Sequence, residues 1–505
     1  MIFVFCAVAS AQANVGSVAL QGDAAHDGDL SGIGLAPPLN VRWTRTLGAG
    51  GGYAVIADGR VFVTAKDPSH AGYDVIALDE ATGATLWVQN QLACSQTYLA
   101  YDAGRVFSNC DGVEALDAIT GAPLWNAPLD SDQYVIWDPP TASGGIVVIA
   151  GDGYGSAEYA FRESDGARLW RQPTASGADG AQAMDGSRTY VSQPGQDYAF
   201  DSATGAPAWH WDSGGYGGGG LTPALWQGRL YTRDTGAPPD NTGLHGEIFD
   251  APTGALAGRY YPGCTSQDSG CNYEDQWAGL PAAMWSDIGL FSDGTTLRAR
   301  SLADDTLRWT FTANAAATTP PLVVDGLVYL VTRDGLVVAL DPSSGAVVWS
   351  GQGPGSVRIP DEHNLNVSGL AAGDGLLVVP TDQGWIAYGG SPAGAAQTTA
   401  PSTVASSGQA QQTARRRGAR PVRGVCHVTR RRATCRVTGL FARMRRARFT
   451  FTDGKLHISI AHRVTKGRAT LRLTLPHRPR ARRARLTIRA IAPKRLPTVR
   501  IALRL

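Results

Sequence analysis

The 505-residue sequence predicts an all-β fold, an eight-bladed β-propeller followed by a small β-sandwich. Three observations lead to this prediction. An eleven-residue motif recurs along the chain, a strand–turn–strand pattern precedes its copies, and the C-terminal part alternates apolar and polar residues. A repeat period of about 20 to 50 residues indicates one small structural unit that is stacked many times.

The motif reads Ala-x-Asp-x-x-x-Gly-x-x-x-Trp and has the chemistry of a β-hairpin. The Ala ends an apolar strand, and the Asp can bind backbone amides of the turn that follows. The Gly tolerates a positive φ, and the Trp lies in the next strand. Four copies are nearly complete: ALDEATGATLW (77–87), ALDAITGAPLW (115–125), AFDSATGAPAW (199–209) and ALDPSSGAVVW (339–349).

Three further copies are degraded, and an eighth Trp stands alone. AFRESDGARLW (160–170) has Arg in place of the Asp, and IFDAPTGALAG (248–258) ends in Gly258 instead of Trp. ARSLADDTLRW (299–309) keeps only the first Ala and the last Trp, while Trp43 has no hairpin before it. The eight end positions are spaced by 38 to 51 residues.

Each period holds four short strands. Apolar runs around Asp-Gly, such as YAVIADGRVFVTA (53–65) and PLVVDGLVYLVTRDG (321–335), mark an additional hairpin before the motif. Four strands in a period of about 40–50 residues make one propeller blade. The last repeat stops before its fourth strand, so we expect the segment around Trp43 to supply it. The prediction is eight blades over residues 38–390, after a lead-in at 14–37.

The motif resembles the tryptophan-docking motif of the PQQ-like (pyrroloquinoline-quinone-like) eight-bladed propellers. That family includes quinoprotein alcohol dehydrogenases and the scaffold lipoprotein of the bacterial outer-membrane barrel-assembly machinery, and the chain resembles the scaffold more. The resemblance covers about 350 of the 505 residues. It implies that the motif residues lock neighbouring blades together, away from any active site. These blade-docking residues are Trp43, Asp79, Gly83, Trp87, Asp117, Gly121, Trp125, Trp170, Asp201, Gly205, Trp209, Trp309, Asp341, Gly345 and Trp349.

The same resemblance defines what an enzyme of this family would need. A quinoprotein dehydrogenase carries calcium-ligating acids and amides, a catalytic Asp and a stacking Trp, and often a disulfide between adjacent cysteines. This sequence has no adjacent cysteines, and we assign no catalytic, metal-binding or cofactor-binding residue. No nucleophile elbow, His-Glu-x-x-His or Walker loop occurs either. PQQ with calcium is therefore the cofactor of an alternative function only.

The N-terminal residues MIFVFCAVASAQAN predict export. An apolar run followed by Ala-Gln-Ala is typical of a secretory signal cleaved after Ala13, and a buried N-terminal strand is the alternative. Residues 1–13 are thus predicted to be the remnant of a secretory signal, although they lack a positive region before the apolar run. No later stretch reaches the roughly 18 apolar residues of a membrane-spanning helix.

Six of the seven cysteines fall into three pairs that are close in sequence. Such pairs indicate three disulfides in an oxidising compartment, although sequence leaves the connectivity open. A metal site is not indicated, because no Cys-x-x-Cys occurs and the nine His form no ligand-spaced cluster. The pairs are Cys94 with Cys110, Cys264 with Cys271, and Cys426 with Cys435.

The charge of the chain changes sign near residue 415. Residues 391–414 contain no charge, and the flexible linker predicted at 391–423 ends in a basic run. Residues 415–505 hold 28 Arg and Lys against one acid, Asp453, whereas the preceding 414 residues hold 17 basic and 42 acidic residues. The small net charge of +2 therefore hides a strongly polarised chain.

Residues 424–505 alternate apolar and polar residues in about seven runs, which predicts an immunoglobulin-like sandwich. Its basic excess favours contact with a polyanion of the cell envelope, the alternatives being a solvated surface or docking on the acidic propeller. Sequence-specific nucleic-acid binding is not indicated, since Phe441, Phe449 and Phe451 are too few for base stacking. The candidate polyanion contacts are Arg415, Arg416, Arg417, Arg430, Arg431, Arg432, Arg445, Arg446, Arg482 and Arg483.

The sequence as a whole favours a bacterial, secreted or envelope-associated binding or scaffold protein without catalytic activity. Its propeller would present a surface to an envelope protein or glycan, and its basic domain would contact an anionic envelope polymer. The alternative is a PQQ-dependent oxidoreductase with a diverged pocket, and a polysaccharide hydrolase or lyase is a third hypothesis. A blade framework without catalytic signatures carries the first interpretation, because fold alone does not determine function.

Overall fold

The structure is a computed structural model of the chain. It describes residues 16–48, 52–66, 72–91, 97–110, 112–134, 138–153, 156–175, 180–193, 195–212, 222–232, 246–260, 281–353 and 368–390, and seven strands between 423 and 504. The chain divides into two compact units, residues 1–397 and 398–505. Within the described ranges, no helix has the length and apolar character needed to cross a membrane.

The first unit confirms the predicted eight-bladed β-propeller. Blades 1–7 are antiparallel sheets whose four main strands follow one another from the innermost to the outermost, in chain order. Blade 8 has three strands of its own, and β2 (Leu39–Thr46), which precedes blade 1 in the chain, pairs with them as the outermost strand. Trp43 lies in β2, so the predicted closure of the ring by the N-terminal segment is confirmed.

The strands of the propeller have the following bounds. Before the blades come β1 (Asp29–Leu30) and β2 (Leu39–Thr46). Blade 1 is β3 (Val55–Ala57), β4 (Arg60–Lys66), β5 (Tyr73–Asp79) and β6 (Thr85–Gln91); blade 2 is β7 (Leu99–Asp102), β8 (Arg105–Asn109), β9 (Gly112–Asp117) and β10 (Pro123–Pro128). Blade 3 is β12 (Thr141–Ser143), β13 (Ile146–Gly153), β14 (Ala157–Arg162) and β15 (Arg168–Pro173), with β11 (Gln133–Tyr134) paired to β13. Blade 4 is β16 (Ala183–Met184), β17 (Arg188–Gln193), β18 (Gln196–Asp201) and β19 (Pro207–Asp212).

Blades 5–8 follow the same plan. Blade 5 is β20 (Ala224–Trp226), β21 (Arg229–Tyr231), β22 (Gly246–Asp250) and β23 (Leu256–Tyr260). Blade 6 is β24 (Ala283–Trp285), β25 (Ile288–Asp293), β26 (Thr296–Ser301) and β27 (Leu307–Thr312). Blade 7 is β28 (Leu322–Val324), β29 (Leu327–Val331), β30 (Leu336–Leu340) and β31 (Val347–Gln352), and blade 8 adds β32 (Ala371–Gly373), β33 (Leu376–Thr381) and β34 (Gly384–Gly390) to β2.

The turns between the first and second strands explain the recurring Asp-Gly and Gly positions. Asp58 and Gly59 join β3 to β4 with φ of +52° and +68°, the signature of a tight hairpin turn that Asn, Asp and Gly favour. The start of β4 pairs with the end of β5, because Arg60 lies opposite Asp79. The two turns of each blade therefore lie at the same end of the propeller, which we call the turn face.

The hydrophobic core lies between neighbouring blades. Side chains from the inner strands of one blade interdigitate with those of the next, as when Leu290 and Leu297 of blade 6 join Val328 and Val338 of blade 7. A sheet must bury at least one face, and blades arranged in a ring bury both faces of their inner strands. Contacts at the junctions between neighbouring blades thus stabilise the fold.

The second unit contains seven strands in two sheets. One sheet has the order β35 (Arg423–Thr429), β36 (Arg432–Thr438), β39 (Ala469–Thr474). The other has the order β38 (Leu456–Arg463), β37 (Arg446–Asp453), β40 (Arg483–Ala492), β41 (Val499–Arg504). Seven strands are the number that the sequence predicted, and the immunoglobulin-like arrangement stays a prediction.

Candidate functional site

The motif Asp organises its own turn. In blade 1, Asp79 Oδ1 accepts hydrogen bonds from the backbone amide of Thr82 at 2.9 Å and from its hydroxyl at 2.5 Å. These bonds, the hydroxyl first, lower the pKa of the Asp79 carboxyl, so it is ionised at neutral pH. Gly83 follows with φ of +68°, a region that favours glycine. The turn is therefore built before any other blade contributes to it.

The Trp of one blade packs on the Gly of the next blade's turn. The indole of Trp43 donates a hydrogen bond to the carbonyl of Glu80 at 2.7 Å, and a Cβ at Gly83 would lie 2.7 Å from the Trp43 ring. Glycine is thus required twice, by φ and by the ring above it. The same contact forms at six junctions: Trp43–Gly83, Trp87–Gly121, Trp125–Gly166, Trp170–Gly205, Trp209–Gly254 and Trp309–Gly345. The indoles donate to Glu80, Ala118, Glu163, Ser202, Ala251 and Pro342 at 2.7–3.2 Å.

Two junctions differ from these six. Trp349 faces blade 8, whose outermost strand comes from elsewhere in the chain, and packs edge-on against Tyr388 at a ring distance of 6.2 Å. Between blades 5 and 6, Gly258 occupies the Trp position and Asp305 the Gly position. The structure thus places the sequence-selected motif residues at blade junctions.

The lead-in forms a belt around the propeller axis. We use "belt" for residues 16–35. Its carbonyl oxygens accept hydrogen bonds from amides on or next to the innermost strands of seven blades, at 2.6–2.9 Å. His26 reaches the remaining one, blade 3, through Thr141 Oγ1 at 3.1 Å. The pairs are Ser17–Ile56, Val18–Tyr101, Ala24–Met184, Ala25–Leu225, Asp27–Met284, Gly28–Val323, Leu30–Asp325 and Ile33–Gly375.

These bonds pair the inner edges of the blades. The innermost strand of a blade has one edge without a partner in its own sheet, and unpaired edges carry donors and acceptors that need partners. Part of the belt is regular enough to be a strand, since β1 pairs in parallel with β28 of blade 7. One segment of the chain thus contacts all eight blades.

The centre of the belt is closely packed. Leu20, Gln21 and His26 are 0%, 1% and 1% exposed, and the Gln21 amide nitrogen donates to the carbonyls of Ala282 and Pro321, each at 3.1 Å. Burial lowers the pKa of His26, which favours the neutral ring. Nδ1 lies 2.6 Å from the Leu20 carbonyl, and Nε2 lies 3.1 Å from both the Thr141 hydroxyl and the Gln182 carbonyl, so the tautomer determines which nitrogen donates.

Sequence reasoning did not find the belt. The prediction placed a lead-in at 14–37 without a role. Its bonds run through backbone carbonyls, which every residue has, so no side-chain pattern marks them. The available signal was its many small residues, because bulky side chains would not fit between eight inner strands; a Cβ at Gly28 would lie 2.7 Å from that of Ala283.

A cavity of about 540 Å³ lies on the turn face between blades 8 and 1. Arg42, Asp79, Glu80 and Asp374 supply its charged lining. Burial, followed by the charge of Asp374 and a hydrogen bond to it, raises the pKa of Glu80 to about 8. A pair of carboxyl groups with one shared proton is a possible general acid, so this cavity is the first place to look for catalysis.

A second pair of carboxyl groups, Glu163 with Asp102, lies at another blade junction. Burial and Asp102 raise the pKa of Glu163 to about 8 at the junction of blades 2 and 3. Glu80 and Glu163 each directly follow the Asp position of their motif copy, and the backbone carbonyls of both accept an indole hydrogen bond. The carboxyl pairs are therefore part of the docking turns, and their chemistry is that of proton-dependent junctions.

The remaining predicted residues are only partly described. Cys110 is disulfide-bonded, whereas its predicted partner Cys94, with Cys264 and Cys271, lies outside the described residues. Cys426 and Cys435 are directly opposed in the register of β35 and β36, a backbone spacing that suits a disulfide. Arg432, Arg446 and Arg483 begin β36, β37 and β40. Residues 1–13 and the arginines at 415, 416, 417, 430, 431, 445 and 482 lie outside the described residues.

No metal site is found within the described ranges, where no group of three or more His, Cys, Asp or Glu could hold an ion. The belt acids Asp27 and Asp29 lie near Asp23, and burial followed by this neighbour raises their pKa values to about 7 and about 6. The carboxylates of this segment are thus partly protonated near neutral pH.

Comparison with known proteins gives one family and one fold. A protein-family model described as outer membrane protein assembly factor BamB matches residues 39–134, 71–210, 155–257 and 244–437, which together exceed half of the chain. No curated protein sequence matches the chain.

Solved structures with similarity to the chain include two dehydrogenases and one BamB. Quinohemoprotein alcohol dehydrogenase ADHIIG from Pseudomonas putida HK5 is 13% identical, with 80% of this chain and 84% of that chain covered and a TM-score of 0.57. The quinohemoprotein alcohol dehydrogenase from Comamonas testosteroni is 15% identical, with 79% and 83% covered and a TM-score of 0.55. BamB from Moraxella catarrhalis is 19% identical, with 71% and 99% covered and a TM-score of 0.48. The likeness to the dehydrogenases shows the fold alone.

Proposed function

Because the chain belongs to the family of the outer membrane protein assembly factor BamB, we propose that it is a binding protein without catalytic activity that works outside the cytoplasm. One observation supports the proposal: the belt contacts the innermost strands of all eight blades. The side chains of Leu20, Gln21 and His26 are almost fully buried there, which leaves no space beside them for a bound quinone and its substrate.

The described residues also fit PQQ with calcium poorly. Calcium takes six to eight oxygen ligands, commonly several of them carboxylates, and PQQ itself is an anion that needs cationic partners. The most buried polar belt side chains are one neutral amide, Gln21, and one neutral imidazole, His26, and the belt acids Asp27 and Asp29 are partly protonated near neutral pH. We therefore expect the protein to bind its partners through its outer surface, with the belt as a fixed internal support for the blades.

The propeller rim supplies a surface for a protein partner. The outermost strands and turns of six consecutive blades, 5, 6, 7, 8, 1 and 2, expose large apolar side chains, and the described residues of blades 3 and 4 have none that is similarly exposed. Clustered exposed apolar residues are typical of protein-binding surfaces. The set is Leu256, Leu307, Val347, Val348, Val41, Leu86, Val88, Ile119 and Leu124, each 44–65% exposed.

The basic segment supplies the second contact of the proposal. Its 28-to-1 excess of basic over acidic residues repels itself, and an anionic envelope polymer would relieve that repulsion. A disulfide-bonded Cys110 and the opposed Cys426 and Cys435 support an oxidising compartment. Export by the signal at residues 1–13 belongs to the same proposal.

The partner side of the proposal is tested by site-specific photo-crosslinking. A photoreactive residue at Leu86, in the exposed arc, should give one reproducible adduct with an envelope protein in producing cells. The matched control is Ala208, which holds the same motif position in blade 4 and is exposed without an apolar neighbourhood. Equal adducts at both positions would contradict a surface that excludes blades 3 and 4.

The catalytic side is tested by titrating the whole protein with PQQ and calcium. Calorimetry should show no saturable binding, and dye reduction with simple alcohols and sugars should equal the rate without protein. An apoprotein of a quinoprotein dehydrogenase gives the positive control. Saturable binding together with dye reduction would replace this proposal by the oxidoreductase function.

A further inference from the structure

The junction of blades 5 and 6 lacks the tryptophan that six other junctions have. Gly258 occupies the Trp position in β23, opposite Ile248 in the strand register. Nothing in its surroundings requires glycine, because a Cβ there would meet only Ile248 Cδ1, at an ordinary contact distance of 3.7 Å. The missing side chain is therefore a feature of this junction and not a demand of the backbone.

The other side of the junction has changed with it. Asp305 occupies the turn position that is Gly at the six docked junctions, with φ of +56°. At those junctions a Cβ would lie 2.5–2.7 Å from the indole, so a side chain there excludes the Trp. Arg300 binds both carboxylate oxygens of Asp305, at 2.5 and 3.0 Å. Gly258 and Asp305 thus make sense together, and neither fits a docked Trp.

The two substitutions leave a cavity of about 230 Å³. Tyr231, Tyr260, Phe291 and Leu302 supply its apolar lining, and all three rings are less than 10% exposed. Arg229, Arg259 and Asp304 also line it, so the cavity has a charged side. A dry protein cavity of about 150 Å³ is large enough to bind benzene. This one can therefore hold a two-ring aromatic molecule.

The cavity keeps the ring on which the missing indole would pack. Within a blade, the docking Trp contacts an aromatic residue of the second strand: Phe62 with Trp87 at 5.8 Å, Phe107 with Trp125 at 5.9 Å, and Tyr190 with Trp209 at 6.2 Å, all tilted by 41–42°. Tyr231 has this position in blade 5, because it pairs with Ile248 as Phe62 pairs with Ala77. The aromatic wall is thus present without a tryptophan on it, and its one ring contact in the described residues is the edge-on Tyr260 at 6.1 Å.

The cavity also keeps the hydrogen-bond acceptor. At the six docked junctions the indole donates to the carbonyl of the residue after the motif Asp position. Leu302 follows Ser301, which has that position in blade 6, and lines the cavity. No indole of the described residues donates to the Leu302 carbonyl. The aromatic wall of Tyr231 and the carbonyl acceptor of Leu302 are therefore both present for a flat ring that carries an N–H group.

We propose that this junction binds a planar aromatic molecule of the indole class in the place of the absent tryptophan. The ring packs against Tyr231 with its edge toward Phe291, and its N–H donates to the Leu302 carbonyl. The shared chemistry is the indole ring, whether it belongs to a free small molecule or to a Trp residue of another chain. The site is independent of the function proposed above, since it lies at the turn face between two blades and not at the axis.

The test is a titration of the whole protein with indole, followed by calorimetry and by the unfolding temperature. We expect one-to-one binding with a Kd below about 1 mM and a concentration-dependent rise in unfolding temperature. Benzofuran has the same shape without the N–H, and loss of one neutral hydrogen bond should weaken binding about 2- to 12-fold. N-acetyltryptophanamide distinguishes the sources: if it binds like indole, a Trp residue reaches the site, and if only indole binds, the ligand is a free molecule.

A double variant provides the decisive control. G258W with D305G restores both halves of the docking contact, so it should fold, unfold at a higher temperature than the natural protein, and bind indole at least 10-fold more weakly. G258W alone should be less stable than the double variant, because the Cβ of Asp305 meets the new ring. Y231L, which keeps an apolar side chain but removes the aromatic wall, should also weaken indole binding.

The proposal is overturned by either of two results. One is no saturable binding of indole or N-acetyltryptophanamide up to the solubility of each. The other is binding that is unchanged in a folded G258W/D305G protein, or unchanged in Y231L if the double variant does not fold. In both cases the cavity would be a packing gap left by a lost tryptophan.

Discussion

Position 121 requires glycine for two physical reasons, its backbone conformation and the ring that packs on it. Its φ is +72°, and a Cβ would lie 2.6 Å from the ring of Trp87. Gly104, in the turn of the same blade, has φ of +79° and nothing within 4 Å of its Cβ position. The two positions share the backbone requirement and differ in the docked ring.

We expect G104A to lower the free energy of unfolding by about 1–2 kcal/mol, the cost of a left-handed alanine. G121A should cost about 1–3 kcal/mol more, because the added methyl group overpacks the junction. Urea unfolding of both variants measures the difference. Equal losses would mean that Trp87 does not bear on Gly121 in solution.

A single residue, Glu163, makes the stability of the fold depend on pH. Its pKa is raised to about 8 by burial and by Asp102, whereas an unfolded glutamate titrates near 4.5. Between these values the folded protein holds a proton that the unfolded chain has lost, so this group makes stability fall as pH rises from about 4.5 to 8. We expect E163Q to flatten that fall.

The measurement is urea unfolding of the natural protein and E163Q at pH 5 and pH 8. The control is D165N, which removes an exposed carboxylate from the same turn and should leave the pH dependence as it is in the natural protein. A fall in stability that is equally steep in E163Q would contradict the assignment.

The sequence predicted those residues whose work is local. The motif Asp and Gly could be identified because each acts within its own turn, and the Trp because it recurs at a fixed offset. The carboxyl pairs could not, since Asp102 and Asp374 lie in the preceding blade, far from Glu163 and Glu80 along the chain. Tyr231 and Leu302 were also not predicted, because their importance comes from a side chain that is absent.

At the scale of elements, the belt and the inner strands are coupled through His26. Its Nδ1 is hydrogen-bonded to the Leu20 carbonyl within the belt, and its Nε2 is hydrogen-bonded to Thr141 of β12. All three groups are buried, and a buried polar group that loses its partner costs about 1–3 kcal/mol. H26A removes two hydrogen bonds at once.

We therefore expect H26A to lower the free energy of unfolding by about 2–5 kcal/mol. A double-mutant cycle with T141V isolates the bond between belt and blade 3, with an expected coupling of about 0.5–3 kcal/mol. If the two effects add within about 0.5 kcal/mol, the belt does not contact blade 3 through this pair.

The blades could be predicted as elements and the belt could not. Blade strands alternate or run apolar between Gly-containing turns, and the pattern is written eight times. The belt has no repeat, and its main-chain carbonyls accept hydrogen bonds from residues up to about 340 positions away in the chain. Such pairing follows from the closed ring, which exists only after the blades have assembled.

At the scale of the whole molecule, the charge separation predicts salt-sensitive binding. A basic residue near an anionic surface contributes about 1 kcal/mol, and added salt screens that attraction. Neutralising Arg415, Arg416 and Arg417 to Gln should therefore weaken binding to anionic vesicles about 100-fold at low salt. Binding of the natural protein should weaken as salt rises from 50 to about 200 mM.

The control carries the same change in charge on the propeller. Arg162, Arg308 and Arg333 are exposed there, and their replacement by Gln should leave vesicle binding nearly unchanged. Co-sedimentation with vesicles measures both proteins. If both triple variants weaken binding equally, net charge and not the basic segment determines the attraction.

The proposed function depends most on the belt, because a belt that is packed against all eight blades favours a binding protein over an enzyme of the same fold. Native-state hydrogen exchange resolved to single amides measures it directly. The amides of Ser17, Val18 and Gly28 are hydrogen-bonded, and we predict that they exchange only by global unfolding, together with inner-strand amides such as that of Met284. Belt amides that exchange as fast as those of an unstructured peptide, while the blade amides stay protected, would mean that the axis is open.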